Sequence, residues 1–269
     1  MYFHTERYCK VDLIKDTPHD KILIGSSRTA WIDPTHSLGE NALNVSFSGA
    51  TIEEIYVFLQ KHLQPDTEVY LGIDFEMLYF EGPEPHQALM EKTDFDKSFV
   101  DYTENFLGFE VISKSIAVYF YRVTFIPSIP LGAEGHRVPR PGRMEQELRA
   151  QGHLANYNLD SEKPLKLVPE SVIEARIGLL EKIKTVLKTR NATYHVFTNP
   201  IMPSRLSVYK THYPELFELV QAHQRELTHV FTKTRDFAME HPYTDSDFRD
   251  WSHYYESIGS HFLSALTTE

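Results

Sequence analysis

The stretch Lys21-Ile-Leu-Ile-Gly-Ser-Ser27 is a short apolar run that ends in small residues. A run of this length, bounded by glycine and serine, is typical of a buried strand that stops at a turn. Similar runs recur further along the chain, and helix-like segments separate them. We therefore expect residues 21–26 to form the first strand of a parallel sheet.

Strand-like and helix-like segments alternate on both sides of a long central stretch. A second strand is expected to end at residues 44–47, and three further strands are expected at residues 68–74, 194–198 and 228–231. The expected helices span residues 51–62, 170–189, 214–227 and 254–266. This alternation predicts βαβ units with right-handed crossovers. The predicted fold is a three-layer α/β/α sandwich around a five-stranded parallel sheet, and it forms a single domain over residues 1–269.

Residues 76–168 interrupt this alternation after the third strand. The stretch is too long for a loop of a compact domain, so we interpret it as an insertion with structure of its own. Residues 111–123 fit a helix or an aromatic-rich strand, whereas the glycines and prolines within residues 132–152 predict an irregular loop or a lid. A local group of arginines in that loop is either a solvated surface or a binding site for an anionic polymer: Arg137, Arg140, Arg143 and Arg149.

Charge and composition limit the classes of function. The 269 residues include 27 Lys and Arg against 38 Asp and Glu, for a formal net charge of −11. Nucleic-acid binding needs a basic surface, so we expect no nucleic-acid partner. Cys9 is the one cysteine, and therefore no intramolecular disulfide can form. With no apolar span or signal peptide in the sequence, we expect a cytoplasmic protein, or a periplasmic or cell-envelope protein if an N-terminal anchor has been removed.

Several well-known signatures are missing from the sequence. It contains no G-x-x-x-x-G-K-[ST], no G-x-G-x-x-G and no H-E-x-x-H. The group Asp245, Asp247, Asp250 and His253 lacks the glycine and the terminal glutamate of a calcium loop. We therefore expect neither a metal nor an organic cofactor.

The segment Gly25-Ser-Ser27-Arg-Thr29 directly follows the first expected strand. A serine at the carboxyl end of a parallel strand has its hydroxyl at the ligand-binding edge of the sheet. Backbone N–H groups in such a turn can also face a developing oxyanion. The segment thus makes Ser27 a candidate nucleophile, although paired serines after a strand also serve as turn and helix-cap residues.

The segment Asp250-Trp-Ser-His253 lies just before the last expected helix. This spacing lets the carboxylate of Asp250 reach Nδ1 of His253, so that Nε2 is left to accept a proton from a hydroxyl. Asp250 could instead cap the final helix, in which case Asp247 is the alternative acid. Taken together, Ser27, His253 and Asp250 predict a Ser-His-Asp triad.

These segments resemble the SGNH/GDSL hydrolase superfamily, in which a Gly-x-Ser block follows the first strand and a D-x-x-H block lies near the C-terminus. The run Asn44-Val-Ser-Phe-Ser-Gly49-Ala-Thr51 is similar to the second block of that superfamily. The resemblance implies that Ser27, His253 and Asp250 are catalytic and that the N–H groups of Gly49 and Ser27 hold the oxyanion. The runs that begin at Gly25, Asn44 and Gly72 together resemble the cell-envelope branch of this superfamily, which includes proteins linked to acetylation or alanylation of surface polymers.

One block departs from the pattern of the superfamily. Typical members have Gly-x-Asn-Asp, whose asparagine donates to the oxyanion, but this chain has Gly72-Ile-Asp74-Phe75. An ionised Asp74 cannot donate a hydrogen bond and would repel an oxyanion. Asn199, after the fourth strand, is a candidate for the missing donor. Loss of one such donor typically lowers the rate by about 10²–10³-fold.

Three residues near these blocks are assigned to substrate binding: Arg28, Asp74 and Trp251. Arg28 would contact an anionic substrate, or else form a salt bridge. Trp251 would form a wall of an acyl pocket, or else pack under the edge of the sheet.

The predicted function is serine-dependent acyl chemistry, as an O-acetyl esterase or acyltransferase, on a carbohydrate or cell-envelope polymer. A membrane acyl-transfer partner is a further expectation from the resemblance. The alternative is a non-catalytic SGNH-like module that binds a polysaccharide or a membrane partner.

Overall fold

The computed structural model describes residues 2–82 and 166–267, which contain a five-stranded, all-parallel sheet. The strands are β1 (Lys21–Ile24), β2 (Ala42–Asn44), β3 (Glu68–Gly72), β4 (Thr193–Thr198) and β5 (Thr234–Asp236). Their order in the sheet is β2-β1-β3-β4-β5. The order reverses between β1 and β3, and ligands of open α/β sheets bind beyond the carboxyl ends of the strands at such a point.

Helices cover both faces of the sheet. They are α1 (Tyr2–Asp16), α2 (Thr35–Leu38), α3 (Ile52–His62), α4 (Glu76–Tyr79), α5 (Glu170–Thr189), α6 (Pro203–His212), α7 (Pro214–Val230) and α8 (Glu256–Thr267). Successive residues of β1 point to opposite faces, so Ile22 and Ile24 join the core beneath α1, α3, α5 and α7. Leu23 joins a second core beneath α2 and α8. The three-layer α/β/α prediction is therefore confirmed.

The helix expected at residues 51–62 begins with a complete capping box. The Thr51 hydroxyl accepts from the backbone N–H of Glu54, whose carboxylate accepts from the N–H of Thr51 in return. Both exchanges satisfy N–H groups that the first turn of a helix leaves unpaired. The helix expected at residues 170–189 is likewise confirmed, with the same bounds.

The fifth strand predicted at residues 228–231 is wrong. Helix α7 continues through Val230, and its buried residues Val220, His223, Leu227 and Val230 form one helical stripe. β5 follows at Thr234–Asp236. β2 ends at Asn44, but the backbone beyond it continues along β1, since Val45 N–H donates to Leu23 O and Phe47 N–H donates to Gly25 O.

The described ends of the segment 76–168 pair with each other. Glu81 N–H donates to Lys166 O and Val168 N–H donates to Tyr79 O, which makes an antiparallel bridge between Phe80 and Leu167. The expectations for residues 111–123 and 132–152, and for Arg137, Arg140, Arg143 and Arg149, lie outside the described residues. Among the helices of the described residues, none is long and apolar enough to cross a bilayer.

Candidate active site

Ser27 lies in a tight turn formed by residues 25–29 at the carboxyl end of β1. A Cβ atom on Gly25 would lie 2.6 Å from Thr29 Oγ1 and 2.8 Å from Gly72 O, so the turn needs a glycine there. Ser26 Oγ accepts from Arg28 N–H at 3.1 Å, and Thr29 Oγ1 donates to Ser26 O at 2.9 Å. These contacts hold Ser27 at the switch point of the sheet.

His253 and Asp250 lie in a second turn, the 250–253 turn, which faces Ser27. The two oxygens of Asp250 lie 3.0 and 2.9 Å from His253 Nδ1, and His253 Nε2 lies 2.9 Å from Ser27 Oγ. When Nδ1 carries the proton that Asp250 accepts, Nε2 is left to accept from the hydroxyl of Ser27. The structure therefore joins Ser27, His253 and Asp250 in one hydrogen-bonded chain.

Asp250 also closes its own turn. Its Oδ1 accepts from the backbone N–H groups of Ser252 and His253, each at 2.8 Å. Burial opposes ionisation of Asp250, but its hydrogen bonds and its attraction to His253 outweigh burial and lower the pKa of the carboxyl. Helix α8 begins later, at Glu256, so Asp250 does not cap it. The alternative acid, Asp247, accepts from Thr244 N–H and Oγ1.

The backbone of Gly49 lies in the same pocket as Ser27. Gly49 has a φ of +60°, in the left-handed region that favours glycine. Within residues 2–82 and 166–267, neither Ser27 N–H nor Gly49 N–H has a hydrogen-bond acceptor. Both residues line the pocket beside the Ser27 hydroxyl, and backbone N–H donors are the groups from which oxyanion sites are built.

Helix α1 anchors the loop that carries Gly49. Glu6 Oε2 accepts from Ser48 N–H at 3.0 Å, Arg7 donates to Gly49 O at 3.4 Å, and Lys10 Nζ donates to Asn44 O at 2.6 Å. All three side chains are buried. Helix α1 was not predicted from the sequence, because charged residues are rarely fully buried and residues 2–16 show no clear apolar stripe.

The structure does not bring Asn199 to the oxyanion position. Its Nδ2 donates to Asp74 Oδ1 at 2.8 Å, and its Oδ1 accepts from the Tyr254 hydroxyl at 2.7 Å. The side chain is buried, and Asn199 is absent from the residues that line the pocket. The expectation that Asn199 replaces the missing donor is therefore corrected: its amide fixes the position of Asp74.

Asp74 lines the pocket, yet both of its oxygens are already engaged. Ser26 Oγ donates to Oδ2 at 2.5 Å, while Asn199 Nδ2 and Arg28 Nη1 approach Oδ1 at 2.8 and 3.0 Å. Three donors satisfy the buried carboxylate internally. Asp74 thus organises the floor of the pocket, and its assignment as a direct substrate ligand is not supported by these contacts.

Arg28 is likewise held by protein groups. Its Nη1 and Nη2 atoms donate to the two oxygens of Glu76 at 2.9 and 2.6 Å, and Nε donates to Ser252 O at 3.0 Å. Only 5% of the residue is exposed. The expected contact with an anionic substrate is corrected, because the guanidinium is the centre of a buried ion network. The salt-bridge alternative describes its contacts.

Glu76 connects two arginines, since Arg205 Nη1 also donates to its Oε1 at 3.1 Å. Burial opposes ionisation of Glu76, but attraction to and hydrogen bonds from Arg28, together with attraction to Arg205, lower its pKa to about 2. Burial alone would lower the pKa of Arg28, whereas Asp74 and Glu76 raise it well above its ordinary value. Glu76 directly follows the departing block Gly72–Phe75, and this position is the signal by which the sequence could have identified it.

The pocket above this network has a volume of about 210 Å³. Its lining includes Ser27, Gly49, Ala50, Met77, Phe80 and Trp251. The ring of Trp251 lies over the guanidinium of Arg205 at 4.3 Å and remains 38% exposed. Trp251 therefore forms a wall of the pocket, as one of the two sequence alternatives expected.

One group of side chains in the described part of the chain has metal-ligand geometry. Asp33, His36 and Glu256 bring one ligand atom each within 4.8 Å of one another. These residues lie near α2 and α8 and do not line the pocket. Exposed acidic groups cluster commonly without a cation, so we assign them no part in the site.

No protein-family model matches the chain, and no curated protein matches it. Among solved structures, the chain is similar to a protein from Streptococcus pneumoniae that is provisionally assigned as a platelet activating factor. The TM-score is 0.47 and the identity 10%, over 99% of this chain and 91% of that chain.

Proposed function

We propose that this protein is a serine-dependent acyl-transfer enzyme of the SGNH type, which acts on an O-acyl group as an esterase or acyltransferase. The observation that carries the proposal is the 2.9 Å distance between Ser27 Oγ and His253 Nε2. It is supported by the contact of Asp250 with the other imidazole nitrogen. A hydroxyl, an imidazole and a carboxylate in this order are the groups that activate a serine nucleophile.

In the first half of the reaction, Ser27 Oγ forms a bond to the acyl carbon while its proton moves to His253 Nε2. The carbonyl oxygen becomes an oxyanion, which the N–H groups of Ser27 and Gly49 would stabilise. When the intermediate collapses, the bond between the acyl carbon and the leaving oxygen breaks. His253 then returns its proton to the leaving alcohol, and the acyl group stays on Ser27.

In the second half, water or an acceptor hydroxyl attacks the acyl-enzyme. His253 takes the proton of the attacking oxygen and gives it to Ser27 Oγ as the ester bond to Ser27 breaks. Asp250 stabilises the imidazolium in both halves. Its lowered pKa supports this role, because the carboxylate remains ionised.

The finer part of the proposal concerns the acceptor. A site with two backbone donors and no asparagine donor is expected to be slower than a three-donor site by about 10²–10³-fold. A bound hydroxyl has a large effective concentration relative to poorly oriented water, so an acceptor seated in the pocket would compete for the acyl group. With the resemblance to envelope acylation proteins, this favours transfer to a carbohydrate or polymer hydroxyl.

The test is labelling with a fluorophosphonate probe followed by peptide mapping. Wild-type protein should be labelled on Ser27, and Ser27→Ala should abolish the label. Ser26→Ala is the matched control, which should keep the label on Ser27. The peptide map distinguishes the two adjacent serines. Labelling at Ser26 or at neither serine would contradict the proposal, and the absence of any label would favour a non-catalytic binding module.

An esterase and a transferase are distinguished by how the acyl group partitions between water and an acceptor hydroxyl. An activated acetyl ester is supplied with oligosaccharide acceptors, and free acetate is measured against acetylated sugar. Acetylated sugar as the main product supports transfer. Acetate as the sole product across a broad acceptor set, at ordinary enzymatic turnover of about 1–10³ s⁻¹, identifies a plain esterase.

A further inference from the structure

We propose that Arg28 is a positioning residue, which holds the 250–253 turn in register with Ser27 and so sets the distance between His253 and the nucleophile. This inference rests on the proposed function for its effect on rate. Its structural part, the tether between two turns, is tested separately below. The role differs from substrate binding and from simple charge compensation.

The tether consists of direct contacts across the pocket. Arg28 follows Ser27 in sequence, and its Nε donates to Ser252 O at 3.0 Å and lies 3.3 Å from Ser252 Oγ. Ser252 precedes His253. The contact between Arg28 and Ser252 therefore joins the residue after the nucleophile Ser27 to the residue before His253.

The rest of the guanidinium is fixed from the opposite side. Glu76 accepts from both terminal nitrogens at 2.9 and 2.6 Å, and Asp74 Oδ1 lies 3.0 Å from Nη1. Both carboxylates come from the segment that follows β3, the third segment of the site beside the β1 turn and the 250–253 turn. Their bidentate and neighbouring contacts hold the plane of the guanidinium, which directs Nε at the carbonyl of Ser252.

This geometry needs arginine specifically. A guanidinium carries five N–H donors in a rigid plane, of which the contacts above use at least four. A lysine could keep the charge opposite Asp74 and Glu76, but its single nitrogen cannot hold both carboxylates and reach Ser252 O in the same fork. With so few donors left, Arg28 has little capacity for an anionic substrate.

Within residues 2–82 and 166–267, the residues on either side of the 250–253 turn have contacts of their own, since Arg249 lies over the ring of Trp31 at 4.0 Å and the Tyr254 hydroxyl donates to Asn199. The Arg28 contact differs from these because it reaches Ser252 within the turn. The internal hydrogen bonds of the turn, from Ser252 N–H and His253 N–H to Asp250, preserve the shape of the turn but not its placement. The contact between Trp251 and Arg205 lies on the side of the turn that faces the pocket. Loss of the Arg28 contact should therefore let the turn shift as a unit, with the Asp250–His253 pair intact.

The experiment uses the fluorescence of Trp251 as a reporter of the turn. The chain has two tryptophans, Trp31 and Trp251, so a Trp31→Phe background leaves Trp251 as the sole emitter. In this background, Arg28→Lys is compared with Arg28 for acrylamide quenching and for the rate of fluorophosphonate labelling. We expect quenching to rise and labelling to slow by about 10–100-fold, since a displacement of about 1 Å can cost 10²-fold.

Arg176→Lys is the matched control. Arg176 is another buried arginine that lines the pocket, but it pairs with Glu53 and donates to the carbonyls of Leu78 and Phe80 rather than to the 250–253 turn. It should leave the quenching of Trp251 unchanged. Equal quenching in Arg28→Lys and Arg28 would overturn the tether, whether or not the protein labels at all.

Steady-state kinetics separate positioning from substrate binding. For a neutral ester, the positioning role predicts a fall in kcat with little change in KM, whereas a rise in KM at constant kcat and constant labelling rate would overturn it. If Arg28→Lys does not fold, Glu76→Gln replaces it, because a neutral amide holds the guanidinium less firmly. Because Glu76 also holds Arg205, on which Trp251 lies, Arg205→Lys is measured beside it. A larger rise in quenching in Glu76→Gln than in Arg205→Lys supports the tether, and an equal or smaller rise contradicts it.

Discussion

The Nε2 atom of His253 lies 2.9 Å from Oγ of Ser27, although 226 residues separate the two in sequence. One residue follows the first strand, and the other lies in a turn before the last helix. A contact between turns this distant in sequence forms only when the whole sheet is assembled. The site therefore depends on the parallel order of the strands and on the groups that join the two turns.

Asp250→Asn should lower kcat by about 10³–10⁴-fold without unfolding the protein. The amide oxygen can still accept from the backbone of the turn, but the amide favours the wrong tautomer of His253. Asp247→Asn is the matched control, since the Asp247 carboxylate accepts from Thr244 N–H and Oγ1 rather than from His253, and it should change the rate by less than about threefold. A larger loss in Asp247→Asn than in Asp250→Asn would reassign the acid.

Gly49→Ala should impair the oxyanion site. Alanine at a φ of +60° costs about 1–2 kcal/mol, and relief of that strain would turn the N–H away from the pocket. We expect a rate loss of about 10–10³-fold, measured as kcat/KM with an aryl ester. Gly39→Ala, at a φ of +99° and a ψ of 171° after α2, introduces at least as much strain away from the pocket. If both variants lose activity equally, Gly49 has no special part in the site.

Asn199→Ala tests whether this asparagine acts on the oxyanion or on Asp74. Because its amide contacts Asp74 and Tyr254, we expect a destabilisation of about 1–3 kcal/mol in urea unfolding. The rate should fall by less than tenfold, against the roughly 10²–10³-fold expected for a lost oxyanion donor. A rate loss of the larger size with unchanged stability would restore Asn199 as a donor.

The stability of the protein should fall steeply in acid because of Glu76. Its pKa is lowered from 4.5 to about 2 in the folded protein, so the unfolded chain binds a proton first as the pH decreases. The stabilisation is complete above about pH 4.5 and is lost as the pH falls toward about 2. In urea unfolding across this range, the free energy of unfolding should fall less with decreasing pH in Glu76→Gln than in the wild type. The control is Glu40→Gln, at an exposed glutamate. Parallel curves for Glu76→Gln and the wild type would contradict this.

The sequence predicts most of the sheet because its central strands have short apolar runs with turn residues after them. It does not predict β5, since Thr234–Asp236 is polar and partly exposed, whereas residues 228–231 have β-branched and aromatic side chains that belong to the end of α7. The sequence does not predict helix α1 either, for a related reason. It buries Glu6, Arg7 and Lys10, and only tertiary partners make burial of such residues tolerable.

The site is predicted in part for similar reasons. Spacing alone suggests that Asp250 can reach His253, because three residues separate them and one turn suffices. The partners of Arg28 and Asn199 are different, because hydrogen-bond partners from distant segments have no local sequence pattern. Glu76 and Ser252 enter the network only after β1, β3 and the 250–253 turn meet at one edge of the sheet.

The most direct test of the central claim is to trap the acyl-enzyme. The protein is mixed with an activated aryl acetate, quenched in acid within the first turnover and mapped by peptide mass. The account predicts an acetyl group on the Ser27 hydroxyl that forms in wild-type protein, decays when an acceptor hydroxyl is added, and is absent from Ser27→Ala. Turnover of the ester with no acetyl group on Ser27, or with equal turnover by Ser27→Ala, would contradict it.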